Sequence, residues 1–81
     1  MPANKQTRPL SNIAHDIRRD WRDKVNFAAR PYLEAMLEMD KITDTYYHDT
    51  GKGIVRYFLA NAGTWRGPVA TTIKAELRAM L

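Results

Sequence analysis

Four segments of the chain place their apolar residues three and four positions apart, which is the spacing of one face of an α-helix. The first predicted helix covers residues 11–24 with Ser11 as its N-cap, and its apolar face is Leu10, Ile13, Ala14, Ile17 and Trp21. The second covers Phe27–Met39. Its start is expected near Asn26–Arg30, because Pro31 costs little in a first turn but about 3 kcal/mol in a helix interior. Its face is Leu33, Met36 and Leu37, with Phe27 or Tyr32 at the margin.

The third and fourth helices lie on either side of a sharp break in the pattern. Asp49 or Thr50 is expected to cap the third helix, which runs to Ala62 and buries Ile54, Val55, Phe58, Leu59 and Ala62. Gly63 is expected to leave that helix in the left-handed conformation, with Thr64 as a candidate N-cap of the next. The fourth helix begins at Thr64 or Gly67, accepts Pro68 in its first turn, and buries Val69, Ile73, Leu77 and Met80.

The remaining segments carry no long apolar period. Asp40–Thr50 is rich in Asp, Thr and Tyr and is interpreted as a connection that turns Ile42 and Tyr46 inward. Residues 1–9 contain two prolines and basic side chains, so we expect a flexible arm. The pattern therefore predicts an all-α fold, a compact bundle of about four helices in which residues 10–81 form a single domain.

Composition narrows the class of protein. The 81 residues include no cysteine, which excludes disulfides, thiolate metal sites and thiol nucleophiles. A small secreted scaffold normally needs disulfides, and the polar, basic N-terminal residues resemble neither a signal peptide nor a membrane span. We therefore expect a cytoplasmic protein that does not bind a membrane and holds no cofactor.

The net charge of +4 is divided into three blocks along the chain. Residues 1–30 carry +4, residues 31–50 carry −4, and residues 51–81 carry +4. The blocks either neutralise one another in the fold or present opposite charges to partners, and the sequence does not choose between these arrangements.

Residues Thr50–Gly53 invite comparison with a phosphate-binding loop. The Walker pattern fails, because glycine follows Lys52 and Tyr46 stands where the pattern needs its first glycine. A weaker anion site remains open at Gly51, Lys52 and Gly53, where free amides at a helix start lie beside a lysine. The alternative is that the glycines only begin the helix.

No metal-ligand spacing occurs around His15 or His48, and the aspartates at 40, 44 and 49 do not have the spacing of a calcium loop.

The break at Gly63 resembles a helix-turn-helix over residues 54–80. The last helix and its approach carry candidate nucleic-acid contacts, namely Arg66, Thr71, Lys74 and Arg78. One position does not fit the helix-turn-helix pattern, because the second buried position expected of that motif falls on Thr72 instead of Ile73. A plain antiparallel helix pair would have the same corner.

The strings IAHDIRRDW, PYLEAML and IVRYFLANAGTWRG, followed by IKAEL, resemble a group of short, uncharacterised bacterial proteins over roughly residues 11–81. The resemblance implies a bacterial origin and an accessory or mobile-element setting, and it supplies no site residues.

Three hypotheses on function follow. The first is a non-enzymatic interaction or regulatory module that binds a protein partner or forms a homo-dimer, with Tyr46, Tyr47 and Trp65 as candidate interface residues and Tyr57 in the same aromatic-rich centre. Trp65 alternatively packs into the core. The second is a small DNA-binding protein that uses the last helix. An enzyme is the third and weakest, because no catalytic constellation appears.

Overall fold

Four α-helices form the fold, and this confirms the predicted all-α bundle. The computed structural model describes residues 8–81, so the predicted arm over residues 1–9 lies outside the described residues except for Arg8 and Pro9. The helices are α1 (Leu10–Trp21), α2 (Arg30–Leu37), α3 (Gly51–Ala60) and α4 (Pro68–Ala79). A 3₁₀ turn over Arg22–Lys24 follows α1, and two short antiparallel strands, β1 (Thr45–Tyr46) and β2 (Asp49–Thr50), precede α3. The apolar pattern does not predict this strand pair.

Helix α1 begins one residue earlier than predicted, with Pro9 at the N-cap position. The Leu10 N–H donates to the carbonyl of Asp40 and the Ser11 N–H donates to the carbonyl of Met39, both at 2.9 Å. These carbonyls come from the segment after α2, and they satisfy amides that a helix start leaves unpaired. Ser11 is therefore not the N-cap, because the helix already begins at Leu10 and the Ile13 N–H donates to the Pro9 carbonyl at 3.2 Å.

Helix α2 begins at Arg30, the last residue of the predicted range for its start, because Asn26 holds the preceding residues in a turn. Its side-chain oxygen accepts the Ala28 N–H at 2.9 Å, and its backbone carbonyl accepts the N–H groups of Ala29 and Arg30. Phe27 lies in this turn and is 87% exposed. Of the two predicted marginal residues, only Tyr32 packs against the core.

The connection between α3 and α4 is longer than the predicted corner. It covers residues 61–67, and Gly67, not Gly63, takes a positive φ (114°) as the N-cap of α4. The predicted left-handed Gly63 and the predicted Thr64 N-cap are therefore wrong, whereas the alternative start of the last helix at Gly67 is the one that the structure shows. Thr50 does cap α3, because its hydroxyl accepts the Gly53 N–H at 3.0 Å.

The buried face of α4 is also displaced at its start from the predicted line. Ala70, Ile73 and Leu77 are buried, whereas Val69 is 41% exposed. Positions 70, 73 and 77 lie three and four apart and share one helix face, so Val69 in the first turn points away from it. Pro68 occupies the first turn as predicted.

Three aromatic side chains occupy the part of the core where α1, α3 and the 61–67 connection meet. Trp21 and Trp65 stack, with ring centroids 5.5 Å apart and planes 17° apart. Phe58 stands edge-on to both, at 6.1 Å from Trp21 and 6.4 Å from Trp65. The Trp65 indole N–H donates to the Asp20 carboxylate at 2.8 Å, so the one polar atom of this ring is satisfied.

Lys74 fastens the 61–67 connection to α4. Its amine donates to the backbone carbonyls of Ala62 and Trp65, each at 2.7 Å, and lies 5.9 Å from the Trp65 ring centroid. Burial lowers the pKa of this amine, and the charges of Arg78 and Arg66 lower it further. The amine therefore donates to loop carbonyls that are outside the hydrogen-bonding pattern of a helix, as a capping side chain does at a helix end.

Arg8 joins the two ends of the described chain. Its guanidinium donates to Asp16 of α1 at 2.6 Å, and twice to Glu76 of α4 at 2.9 and 3.0 Å. The hydrogen bonds with Glu76, followed by the one with Asp16, raise the pKa of Arg8. The side chain is 38% exposed, so solvent screens this network and each pair contributes about 0.2–1 kcal/mol.

We predict that Lys74→Met lowers the free energy of unfolding by about 2 kcal/mol or more, because two carbonyls lose a charged donor. Urea denaturation followed by circular dichroism measures the change. Lys52→Met on the exposed side of α3 is the matched control and should change stability by no more than about 0.5 kcal/mol. Equal effects of the two substitutions would show that the hydrogen bonds of Lys74 do not stabilise the fold.

Candidate functional site

The predicted anion site at the start of α3 already has protein partners. The Gly51 N–H donates to the carbonyl of Asp44 at 2.8 Å, and the Gly53 N–H donates to the Thr50 hydroxyl at 3.0 Å. Gly51 is buried, and a Cβ there would stand 2.8 Å from the carbonyl carbon of Ile42 and closer still to its oxygen. Gly51 is thus required for close packing of the connection, and only the Lys52 side chain is exposed. This geometry does not support an anion site.

Three of the four candidate nucleic-acid contacts are exposed, and the fourth is not. Thr71 and Arg78 are exposed on α4, and Arg66 is exposed in the 61–67 connection. The Lys74 amine instead points inward to two carbonyls, so it is not available to phosphate. The connection has seven residues, 61–67, whereas a helix-turn-helix uses three or four. The structure therefore does not provide the geometry that the helix-turn-helix hypothesis needs.

Trp65, one of the three candidate interface residues, is 2% exposed and belongs to the aromatic core. The core role, which the sequence left open beside the interface role, is the one that the structure shows. Its indole N–H is used by Asp20 and its ring faces are covered by Trp21 and Lys74. Trp65 is therefore not an exposed interface residue.

Tyr47 stands at the tip of the strand pair. Tyr46 pairs with Asp49, so Tyr47 and His48 form a two-residue hairpin turn. Tyr47 has φ of 58°, a conformation that hairpin turns normally give to glycine, asparagine or aspartate. Its side chain is 86% exposed, and its ring meets the Tyr46 ring edge-on at 4.8 Å. The fold thus presents Tyr47 outward and supports it from one side.

Tyr46 connects this tip to the acidic side of α2. Its ring is half-buried and packs against the core. Burial raises the pKa of its hydroxyl, and the negative charge of Glu38 raises it further, followed by smaller contributions from Tyr47 and Glu34. Glu38 and Glu34, one helical turn apart along α2, thus act on the Tyr46 hydroxyl through their negative charge.

Most carboxylates of the acidic block over residues 31–50 form no ion pair within residues 8–81. Glu34, Glu38, Asp40 and Asp49 are exposed, and the ion pairs within residues 8–81 do not include them. Asp44 differs because its carboxylate accepts the N–H groups of Lys41 and Asp40 at 2.9 and 3.1 Å, which lowers its pKa. The other four carboxylates are thus exposed and form no ion pair within the described residues.

A second tyrosine pair lies between α2 and α3. Tyr32 and Tyr57 stack with centroids 5.4 Å apart, and Tyr57 is 55% exposed. The sequence places Tyr57 in the aromatic-rich centre but gives no partner for it, because the two residues are far apart along the chain.

A cleft of about 400 Å³ between α1 and α2 has no counterpart in the sequence prediction. Its lining includes three arginines, Arg18, Arg22 and Arg30, together with Val25, Leu33 and Glu34. Within α1, Arg19 bonds Asp16 at 3.3 Å. Arg18 and Arg22 form no such pair within the described residues. Only the fold brings Arg30 to them, so the sequence carries no local signal for this cleft.

Neither metal-site nor membrane-span geometry occurs in the described part of the chain. No three His, Asp or Glu side chains among residues 8–81 lie together in a way that could hold a metal ion. Over the same residues, no helix has the length and apolar character needed to cross a bilayer.

We predict that Gly51→Ala lowers the free energy of unfolding by about 1–3 kcal/mol, because the new methyl group collides with the Ile42 backbone. Thermal unfolding checks this. Gly63→Ala is the matched control, since nothing lies within 4 Å of a Cβ there and its φ is not positive. The control should be neutral or slightly stabilising. A neutral Gly51→Ala would contradict the close approach of Ile42.

Comparison with known proteins assigns no role to these residues. No protein-family model matches the chain, and no curated protein and no solved structure was found to be similar to it. The resemblance to short bacterial proteins therefore stays a prediction. The candidate surfaces stand on the geometry of the described residues alone.

Proposed function

We propose that this chain is a non-enzymatic protein-interaction module that captures a basic segment of another protein. The contact surface is the tyrosine–acid face, which we define as Glu34, Glu38, Tyr46, Tyr47 and Asp49. The observation that carries the proposal is Tyr47, which is 86% exposed and held at φ of 58°.

The backbone conformation of Tyr47 costs free energy, and the exposed side chain gains no stabilisation from burial. A positive φ costs a residue with a Cβ about 1–2 kcal/mol, and the turn would accept glycine without that cost. The Tyr46 ring supports the exposed ring edge-on, which limits the side-chain freedom that a partner would have to remove. Strained, exposed residues of this kind cluster at binding sites, and this supports an interface role.

The charge of the face indicates the chemistry of the partner. Glu34, Glu38 and Asp49 are exposed without cationic partners among residues 8–81. Lysine or arginine side chains would pair with these carboxylates, and a guanidinium over the Tyr47 ring would gain about 0.5–1 kcal/mol from the cation–π interaction. A partner with two or three basic residues beside an apolar one fits this surface.

The shifted titratable groups away from this face have structural explanations, which supports the non-enzymatic part of the proposal. Arg8 is bonded to two carboxylates, Asp44 to two backbone amides and Lys74 to two carbonyls. Shifted pKa values often mark catalytic groups, but bonds that hold a fold together produce the same shifts.

The experiment is selection of peptides from a random display library on immobilised protein, followed by affinity measurement of a selected peptide. We predict enrichment of lysine- or arginine-rich peptides, and a loss of about tenfold or more in their affinity with Tyr47→Gly. The same variant should be as stable as the parent or more stable, because glycine relieves the positive φ.

Phe27→Ala is the matched control, since Phe27 is equally exposed but lies outside the tyrosine–acid face. It should leave peptide affinity unchanged. Enrichment of acidic peptides, or equal binding by Tyr47→Gly, would contradict the proposal. Analytical ultracentrifugation in parallel shows whether a second copy of the chain, through its basic segments, is itself the partner.

A further inference from the structure

We propose that the cleft lined by Arg18, Arg22 and Arg30 binds the phosphate group of a nucleotide, either free or within a single-stranded nucleic acid. This site is separate from the α4 contacts considered above. It is also independent of the proposed protein-binding function, with which it shares only Glu34.

Three structural elements converge on the cleft. Arg18 lies in the last turn of α1, Arg22 is the C-cap of that helix, and Arg30 is the first residue of α2. All three line the same concave space of about 400 Å³. Arg22 also donates from Nε to the carbonyl of Arg19 at 3.2 Å, and this fixes the direction of its side chain.

The charges in the cleft are unbalanced. Among residues 8–81, no carboxylate lies within ion-pair distance of these three guanidinium groups, whereas Arg8 and Arg19 do have such partners. Within the part of the chain that the structure describes, Glu34 is the only acid that lines the cleft. Three cations gathered with one anion repel one another, and a ligand with one or two negative charges would relieve that repulsion. Guanidinium groups suit phosphate because they donate two parallel hydrogen bonds.

The backbone at Arg22 departs from ordinary helix-end geometry. Its φ of 58° and ψ of −133° lie outside the regions that residues with a Cβ prefer. Such a conformation costs about 1–3 kcal/mol, and glycine would take it without that cost. An arginine held there at a cost to stability, with its side chain on the rim of a basic cleft, is consistent with selection for binding.

We assign the base of the nucleotide to Phe27. It is 87% exposed and lies two residues from Val25, so its Cα is at most about 7.6 Å from that of a cleft-lining residue. Lys24, also exposed, belongs to the same segment. Cations on the phosphate and an open aromatic ring for the base are the two components with which proteins hold single-stranded nucleic acid. The exposed ring therefore favours a nucleotide over an inorganic anion.

The test is an amide NMR titration of the full chain at low salt with three probes: pyrophosphate, adenosine 5′-monophosphate and a single-stranded oligothymidylate. We expect shifts at residues 18–34 with each probe. Tighter binding of the oligonucleotide identifies a nucleic acid as the source of the phosphate, and tighter binding of the monophosphate identifies a free nucleotide.

Substitutions in the cleft give effects of both signs. Arg18→Gln and Arg30→Gln should each weaken binding of the preferred probe about fivefold to tenfold, whereas Arg56→Gln and Arg78→Gln remove the same charge elsewhere and should change it less than about twofold. Glu34→Gln should tighten binding about threefold, and Glu38→Gln, one turn along α2, should not. A gain in affinity cannot arise from loss of folding.

Phe27→Ala separates the nucleotide from the phosphate alone. It should weaken the nucleotide probes about fivefold or more and leave pyrophosphate unchanged. Three results would overturn the proposal: no binding of any probe below about 1 mM, equal losses in the Arg56 and Arg78 controls, or nucleotide affinity that does not depend on Phe27.

Discussion

The stack of Trp21 on Trp65, closed by the edge of Phe58, is the interaction on which the rest of this small fold depends. It joins α1, α3 and the 61–67 connection at one point of the core. Large aromatic rings supply much buried area per residue, which matters in a chain that can bury only about 60–65% of its unfolded surface. Two polar contacts at its edge make the arrangement specific: Asp20 accepts the indole N–H of Trp65, and Lys74 brings α4 onto the same residue.

A second set of contacts fixes the connection between α2 and α3, and with it the proposed binding surface. The Asp44 carboxylate holds the amides of Asp40 and Lys41, while its backbone carbonyl accepts the Gly51 N–H. The carbonyl of Asp40 in turn caps α1 at Leu10. One connection thus caps a distant helix, starts the next one and carries the hairpin. Since its backbone is anchored at several points, the exposed hairpin tip can be rigid without being buried.

The sequence predicts the helices well because apolar spacing is a local signal that packing then rewards. Its errors have tertiary causes. Ser11 does not cap α1 because carbonyls from after α2 accept the Leu10 and Ser11 N–H groups, so that the helix begins before Ser11. Gly67 rather than Gly63 takes the positive φ because α4 begins at the later of its two predicted starts. The sequence predicts Lys74 as a surface cation, because the loop carbonyls that accept its hydrogen bonds reach it only in the folded chain. The three-arginine cleft is likewise invisible in sequence, since Arg30 reaches α1 only in the folded chain.

Native-state hydrogen exchange of the Trp65 indole N–H tests most directly whether the aromatic cluster holds the bundle together. We predict that this proton exchanges only when the whole domain unfolds, with the same opening free energy as the buried α3 amides of Val55 and Phe58. If the indole proton exchanged as fast as that of a free tryptophan while the α3 amides stayed protected, the cluster would open on its own. It could not then be the contact on which the fold depends.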